Sequence, residues 1–378
     1  MVEIVISCYS QCKEVYKKMT ARNDKSWLFV VEWFDPMPRL KRQYLLKYFV
    51  QQHAVEMVDI KSKKLFLKKS PCPNEIRATD FFIGSKILLY SRELEIVEFG
   101  DGTTRSELEY QMQSTLIILP PETYTSWGKI IDSIQSSTRT GMVITNMKTV
   151  VLSRNVAENV CAILNESVMK SASLSSGVSC VMIVQGEDGI SAISSLVKSL
   201  NSSPETGGSI LTCSDSQQVS KLNDLILQNR NVSNSSTLDS CTCCIIKPHA
   251  VKQMNFGRIL DTIISQGYEV SAITTLNFDK VQAEEFLEVY KGVIPDYSDH
   301  VIQLCLGQSI ALELRAEDAV PTFRQTAGPW DVEMAKTLRP GSLRALFGED
   351  NVRSAIHCTD LPLDAVAECE YCFRILSN

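Results

Sequence analysis

The sequence predicts an α+β protein: a small antiparallel β module, then two ferredoxin-like units with β-α-β-β-α-β order. Three observations carry this. From Trp27 to Gly100, aromatic and β-branched runs of strand length follow one another, separated by turn residues. From residue 113 the pattern changes to strands alternating with helices. From residue 238 that second plan starts again, an internal repeat of supersecondary structure.

Length and composition set the bounds. A chain of 378 residues suggests two to three domains. With 44% hydrophobic and 22% charged residues it reads as globular. A net charge of −6 argues against bulk nucleic-acid binding. No apolar run approaches the roughly 18 residues of a membrane helix, and the start, MVEIVISCYSQCKEVYKKM, has no basic leader. The thirteen cysteines, several of them inside apolar runs, read as reduced and buried rather than as a disulfide framework. The expected location is cytoplasmic or cytoskeletal, with no membrane and no nucleic-acid partner.

Residues 1–24 read as a tail. Residues 25–112 form the β module, with strands in WLFVVEWF, RLKRQYLLKYFV, AVEMVDI, KKLFLKK, KILLY and LEIVEFG. Asp35-Pro36, Pro71 to Asn74 and Gly100-Asp101-Gly102 punctuate them. Between Lys25 and Ser70 there are ten Lys/Arg against four Asp/Glu, Lys63, Lys64, Lys68 and Lys69 among them. That excess fits solvated strand faces, or docking on an acidic partner surface. Residues 113–232 give a strand in STLIILPP and a helix in WGKIIDSIQSS, with Ile130, Ile131 and Ile134 at helical spacing. Strands in MVITNMKTVVLS and SCVMIVQG and a helix in SAISSLVKSL follow. This unit contains no histidine, and its sequence offers no chemistry.

Residues 238–378 are different. TCCIIK is a strand ending at Lys247-Pro248, and FGRILDTIISQG is an amphipathic helix. YEVSAITTLNF and SIALELRA are strands. Arg324 lies in a helix, Arg344 in the RPGSLR turn, and His357 after it. Glu368 is expected on a last strand, AECEYCFRIL. Phosphoryl transfer needs cations that spread the charge of the transferred group and a positioned nucleophile. Three cations, one histidine and a carboxylate eleven positions after it meet that need.

At these residues the sequence resembles the nucleoside diphosphate kinase family, in IIKPHAV (245–251), RPGSLRALFG (339–348) and AIHCTD (355–360). The resemblance implies ping-pong transfer through a phosphohistidine, with Mg2+ accompanying the nucleotide. It implies His357 as nucleophile, Glu368 as its orienting carboxylate, and Lys247, Arg324 and Arg344 as phosphate ligands. Tyr290 matches a tyrosine near the reacting phosphate, Tyr297 the base-stacking aromatic, and Thr359 the serine of the family's HGSD turn. Ser354 stands where the family has a sugar-contacting asparagine, Cys358 replaces the glycine after the histidine, and Trp330 replaces a phosphate-contacting threonine. These departures imply slowed turnover.

The middle unit resembles the same family faintly. Leu119-Pro120-Pro121 falls at the lysine and Thr212 at the histidine, which implies an inert scaffold. The β module resembles the DM-ten module of axonemal proteins, in FVVEWFDP and DFFIGSKILLYSRELEIVEFGD. A DM-ten module before two kinase-like domains is the layout of an axonemal branch of the family. It implies a structural component of ciliary and flagellar doublet microtubules, partnered by tubulin and other axonemal proteins, with nucleotide turnover as the alternative. No resident metal is expected. A zinc site at Cys241, Cys243 and Cys244 with Cys369 and Cys372 is set aside, because Cys369 and Cys372 on a strand would face opposite ways. Gly128-Lys129 lacks the other residues of a P-loop.

Overall fold

The computed structural model describes residues 25–35, 40–137, 141–203 and 209–376. The expected tail, 1–24, lies outside them. The chain divides into two compact units, residues 1–109 and 110–378.

The first unit is a six-stranded antiparallel sheet of order β4-β3-β2-β1-β6-β5. Its strands are β1 (Ser26–Asp35), β2 (Leu40–Phe49), β3 (Ala54–Asp59), β4 (Leu65–Pro71), β5 (Lys86–Leu89) and β6 (Arg92–Phe99). Phe29, Val31, Leu46, Tyr48, Leu94 and Ile96 are buried together on the strands, and Phe81 stacks on Phe29 and Tyr48 at centroid distances of 5.6 and 4.3 Å. The basic excess is not uniformly free. Lys41 and Arg42 pair with Glu32 and Asp35 at 3.1 and 2.9 Å, and Lys69 lies over the Phe49 ring at 3.6 Å. Lys63, Lys64 and Lys68 are exposed on and beside β4, an edge strand. Edge lysines also prevent strand-to-strand aggregation.

The second unit is built on one eight-stranded sheet of order β10-β7-β9-β8-β12-β13-β11-β14. Its first half contains β7 (Met112–Leu119), β8 (Val143–Val150), β9 (Ser179–Glu187) and β10 (Leu211–Thr212). Its second half contains β11 (Cys241–Ile246), β12 (Glu269–Leu276), β13 (Ser309–Arg315) and β14 (Ile356–Cys358). Each half has the ferredoxin-like arrangement, and the halves join edge to edge where Lys148 of β8 pairs with Thr274 of β12.

The join is reciprocal. The Ile273 N–H donates to Thr149 Oγ1 at 2.7 Å, and the Met147 N–H donates to Thr275 Oγ1 at 3.2 Å. Below the sheet the helices Trp127–Gln135 and Phe256–Ser265 cross through matching sequences, WGKIID and FGRILD. A Cβ on Gly128 would lie 2.3 Å from the Asp261 backbone nitrogen, and one on Gly257 2.3 Å from that of Asp132. The two halves therefore pack as an internal pseudo-dimer whose helix crossing needs a hydrogen in place of a side chain on each partner.

Three expectations are corrected. The segment read as a last strand is the helix Ala365–Glu370 and a wider helical turn, Tyr371–Ile375. Its buried residues, Ala365, Glu368, Cys369, Cys372 and Phe373, recur at helical rather than alternating spacing. Glu368 thus projects from a helix, and the last strand is β14, which carries His357. Arg344 sits in the short helix Leu343–Phe347 that follows the turn. Among the described residues no helix is long and apolar enough to cross a membrane.

Candidate active site

β14 is short and lies at the sheet edge, pairing only Ile356, His357 and Cys358 with β11. The chain enters it through a left-handed residue, Ala355, at φ 67°. Two bonds hold that bend. The Lys247 N–H donates to Ala355 O at 2.9 Å, and the Ala355 N–H donates to His249 Nε2 at 3.2 Å. His249 accepts that bond as a neutral ring, since burial and the nearby Lys247 ammonium push its pKa down to about 3.

His357 is 3% exposed. Its Nε2–H donates to Glu368 Oε2 at 3.0 Å. The same oxygen accepts the Thr359 hydroxyl at 2.7 Å, while Thr359 Oγ1 takes the Cys243 N–H at 3.0 Å. The carboxylate thereby fixes the tautomer, and Nδ1 keeps its lone pair, with no hydrogen-bond partner among the described residues. Phe286 and Tyr290 set their rings edge-on to the imidazole at 5.0 and 6.0 Å. Ring rotation would cost both the Glu368 bond and this packing.

The cations come from separate elements. Lys247, one residue past β11, donates to Val352 O and to Ser354 Oγ, both at 2.9 Å. Burial, aided by the Arg344 guanidinium, pushes its pKa down to about 7. Arg344 donates to Gly328 O at 2.9 Å and to Cys358 Sγ at 3.4 Å, while its buried Nε has no partner among the described residues. Arg324, half exposed, pairs with Asp360 at 3.2 Å. The Tyr290 hydroxyl donates to the other Asp360 oxygen at 2.8 Å, and burial beside that carboxylate raises its pKa.

Trp330 occupies the middle of this group. Its indole lies 5.4 Å from the Arg344 guanidinium carbon and 5.9 Å from Lys247 Nζ. The rings of His300 and Tyr290 flank it at 5.3 and 6.0 Å. The fold thus links His357, Glu368 and Thr359 by hydrogen bonds, sets Tyr290 against the imidazole with Arg324 joined to it through Asp360, and places Trp330 between Tyr290 and the Lys247 and Arg344 cations, Ser354 being bonded to Lys247. Tyr297 stands apart. Its hydroxyl donates to Glu284 O at 3.3 Å, and among the described residues it shares no hydrogen bond or ring contact with His357, Trp330 or the cations. Sequence reasoning missed Asp360, which was visible as the acid of AIHCTD. It gave no part to Phe286 or His300, whose only signal is their burial.

A model described as nucleoside diphosphate kinase matches residues 240–376. The nucleoside diphosphate kinase homolog 7 of Rattus norvegicus is 35% identical over 375 residues, covering 93% of each chain. This chain belongs to the nucleoside diphosphate kinase family. The Mus musculus homolog 7 is 34% identical over the same shares. The nucleoside diphosphate kinase of Aquifex aeolicus is 36% identical over 132 residues, 35% of this chain and 91% of that one. A crystal structure of the Aquifex enzyme aligns with 34% identity over 36% of this chain and 97% of that chain, at a TM-score of 0.35.

Strand register shows what the other half of this nucleoside diphosphate kinase unit offers at the same place. His357 lies opposite Ile245 on β11, two residues before Lys247. The matching residue of β7 is Ile118, and the residue opposite it is Leu211. The position of Lys247 is taken by Pro120. Thr212, named from sequence, is one residue further along, and the leucine in its place has neither a nucleophile nor a donor.

Proposed function

We propose that His357 accepts a phosphoryl group from a nucleoside triphosphate and passes it to a nucleoside diphosphate, at a rate held down by Trp330. The observation that carries this is the division of labour on one imidazole. Nε2–H is tied to Glu368, and Nδ1 is left as the base. In the forward step Nδ1 attacks the γ-phosphorus in line. The bond from that phosphorus to the β-phosphate oxygen breaks, and the diphosphate leaves with the electron pair. The imidazole becomes a phosphoimidazolium whose Nε2 proton faces the Glu368 carboxylate. A second nucleoside diphosphate then attacks the phosphorus, and the N–P bond breaks. Lys247, Arg344 and Arg324 spread the charge of the phosphate oxygens. Mg2+ enters with the nucleotide, as part of the substrate.

Trp330 sets the rate because its indole rests on the two buried cations that the phosphates need. Pure protein incubated with γ-labelled ATP should take up acid-labile label, lost in His357→Ala. Label surviving in that variant would overturn the assignment.

A second reading concerns the whole chain. We infer a structural role on axonemal doublet microtubules, in contact with tubulin. The resemblance of the β module to the DM-ten module of axonemal proteins supports it, as do a half of the kinase unit with no imidazole and a basic β module. Detergent-extracted flagella should retain the protein with the microtubules, and its full release would count against this role.

A further inference from the structure

The helix that replaces the expected last strand brings four thiols together. Cys241 and Cys243 are alternate residues of β11 and share a face. The helix Ala365–Glu370 and the turn after it pack on that face with Cys369 and Cys372, three residues apart. All four thiols are buried in one cluster where the helix meets the strand. The reason for setting aside a metal site, opposite faces of a strand, therefore does not hold.

A buried acid completes the group. Glu313 of β13 lies opposite Cys243 in register and is 0% exposed. Its Oε1 accepts the Thr237 N–H at 2.7 Å, the Thr237 hydroxyl at 2.9 Å and the Ser271 hydroxyl at 2.6 Å. Among the described residues its Oε2 accepts only the Leu238 N–H, at 3.2 Å. Among the described residues no lysine or arginine forms an ion pair with it. Buried charges are ordinarily paired or coordinate a metal. The sulfurs of Cys241 and Cys369 and a Glu313 carboxylate oxygen all lie within 4.8 Å of one another.

We propose that Cys241, Cys369 and Glu313, with Cys243 as fourth ligand, bind one thiophilic divalent cation of the zinc type. Tetrahedral zinc accepts sulfur at about 2.3 Å and carboxylate oxygen at about 2.0–2.2 Å, so small rotamer shifts close the set. Binding sends the protons of the Cys241, Cys243 and Cys369 thiols to solvent. Two positive charges enter and three leave, so the buried group gains one negative charge. The donors on Glu313 are the outer partners that hold a ligating carboxylate in place. Cys369 directly follows Glu368, so the cation would also anchor the helix that orients His357. The site does not depend on the phosphoryl-transfer reading.

Cobalt is the probe. Reduced, metal-free, full-length protein titrated with Co2+ should develop thiolate-to-cobalt charge transfer and tetrahedral ligand-field bands, saturating at roughly one ion per chain. Zn2+ should displace them and raise the melting temperature. Cys241→Ser with Cys369→Ser should lose the bands while far-ultraviolet circular dichroism stays folded. Folded, reduced wild-type protein without a charge-transfer band would overturn the proposal, whether or not the variant folds. Bands that persist unchanged in a folded double variant would overturn it too.

Discussion

Lys247 combines two demands that conflict. As a buried ammonium beside Arg344 it loses its proton near pH 7, against about 10.4 when unfolded. Between those values the folded chain binds fewer protons than the unfolded one, so this group's contribution to stability rises with pH across that window. A bound polyphosphate reverses the preference. Nucleoside diphosphate binding at pH 8 should take up close to one proton, and at pH 6 almost none. Calorimetry in two buffers of different ionisation enthalpy measures this, and buffer-independent heats at pH 8 would contradict the assignment of Lys247. Trp330 makes the other residue-scale case. Misplacing a reacting group by about 1 Å costs on the order of 10²-fold, and an indole on two phosphate-binding cations is displacement of that kind. Trp330→Thr together with Ser354→Asn should raise phosphoryl transfer to a second nucleotide by up to about a hundredfold. Single-turnover kinetics from the labelled protein would show it, and an unchanged rate would mean that the indole is not what slows the site. The sequence marks Trp330 as a departure but not its stacking, because Tyr290, His300 and Arg344 reach it only through the fold.

At the scale of elements, the strands of the β module are legible in the sequence because alternation on a half-buried sheet is a local property. The helix Phe256–Ser265 is legible for the same reason, its apolar residues recurring on one side. The C-terminal helix is not, because Tyr371-Cys372-Phe373-Arg374-Ile375 resembles a strand by composition, while its buried residues follow helical spacing. Motifs point to His357, Glu368 and Lys247, but not to the helix under Glu368. The join of β8 to β12 leaves no local trace, since it pairs segments 126 residues apart (274 − 148). Its signature is the matched glycines. Alanine normally stabilises a helix over glycine by about 1 kcal/mol. At Gly128 and Gly257 the new Cβ meets backbone at 2.3 Å, which flexible side chains cannot relieve. Gly128→Ala and Gly257→Ala should each destabilise the second unit by about 1–3 kcal/mol. Urea unfolding would register the change, and a gain in stability at either site would refute the close crossing.

At the scale of the molecule, the group around His357 sits in an eight-stranded sheet whose other half carries Leu211 and Pro120 at the matching positions. The half without a histidine still closes β12 with a strand and packs its helix Trp127–Gln135 on the helix Phe256–Ser265, so it does for the C-terminal half what a second subunit would do. That arrangement fits the proposed structural role. The β module supplies the test. Of its basic residues, Lys41 and Arg42 are paired locally and Lys69 packs on Phe49, while Lys63, Lys64 and Lys68 are among those exposed on and beside the edge strand β4. If they meet tubulin's acidic surface, changing all three to glutamate should abolish most co-sedimentation with microtubules at low salt. The wild type should itself weaken as salt rises, because exposed charges are screened over roughly 8 Å at physiological ionic strength. If they serve only to keep an edge strand from pairing with its neighbours, the variant should sediment with microtubules as the wild type does at every salt concentration, and attachment would have to be sought on another face.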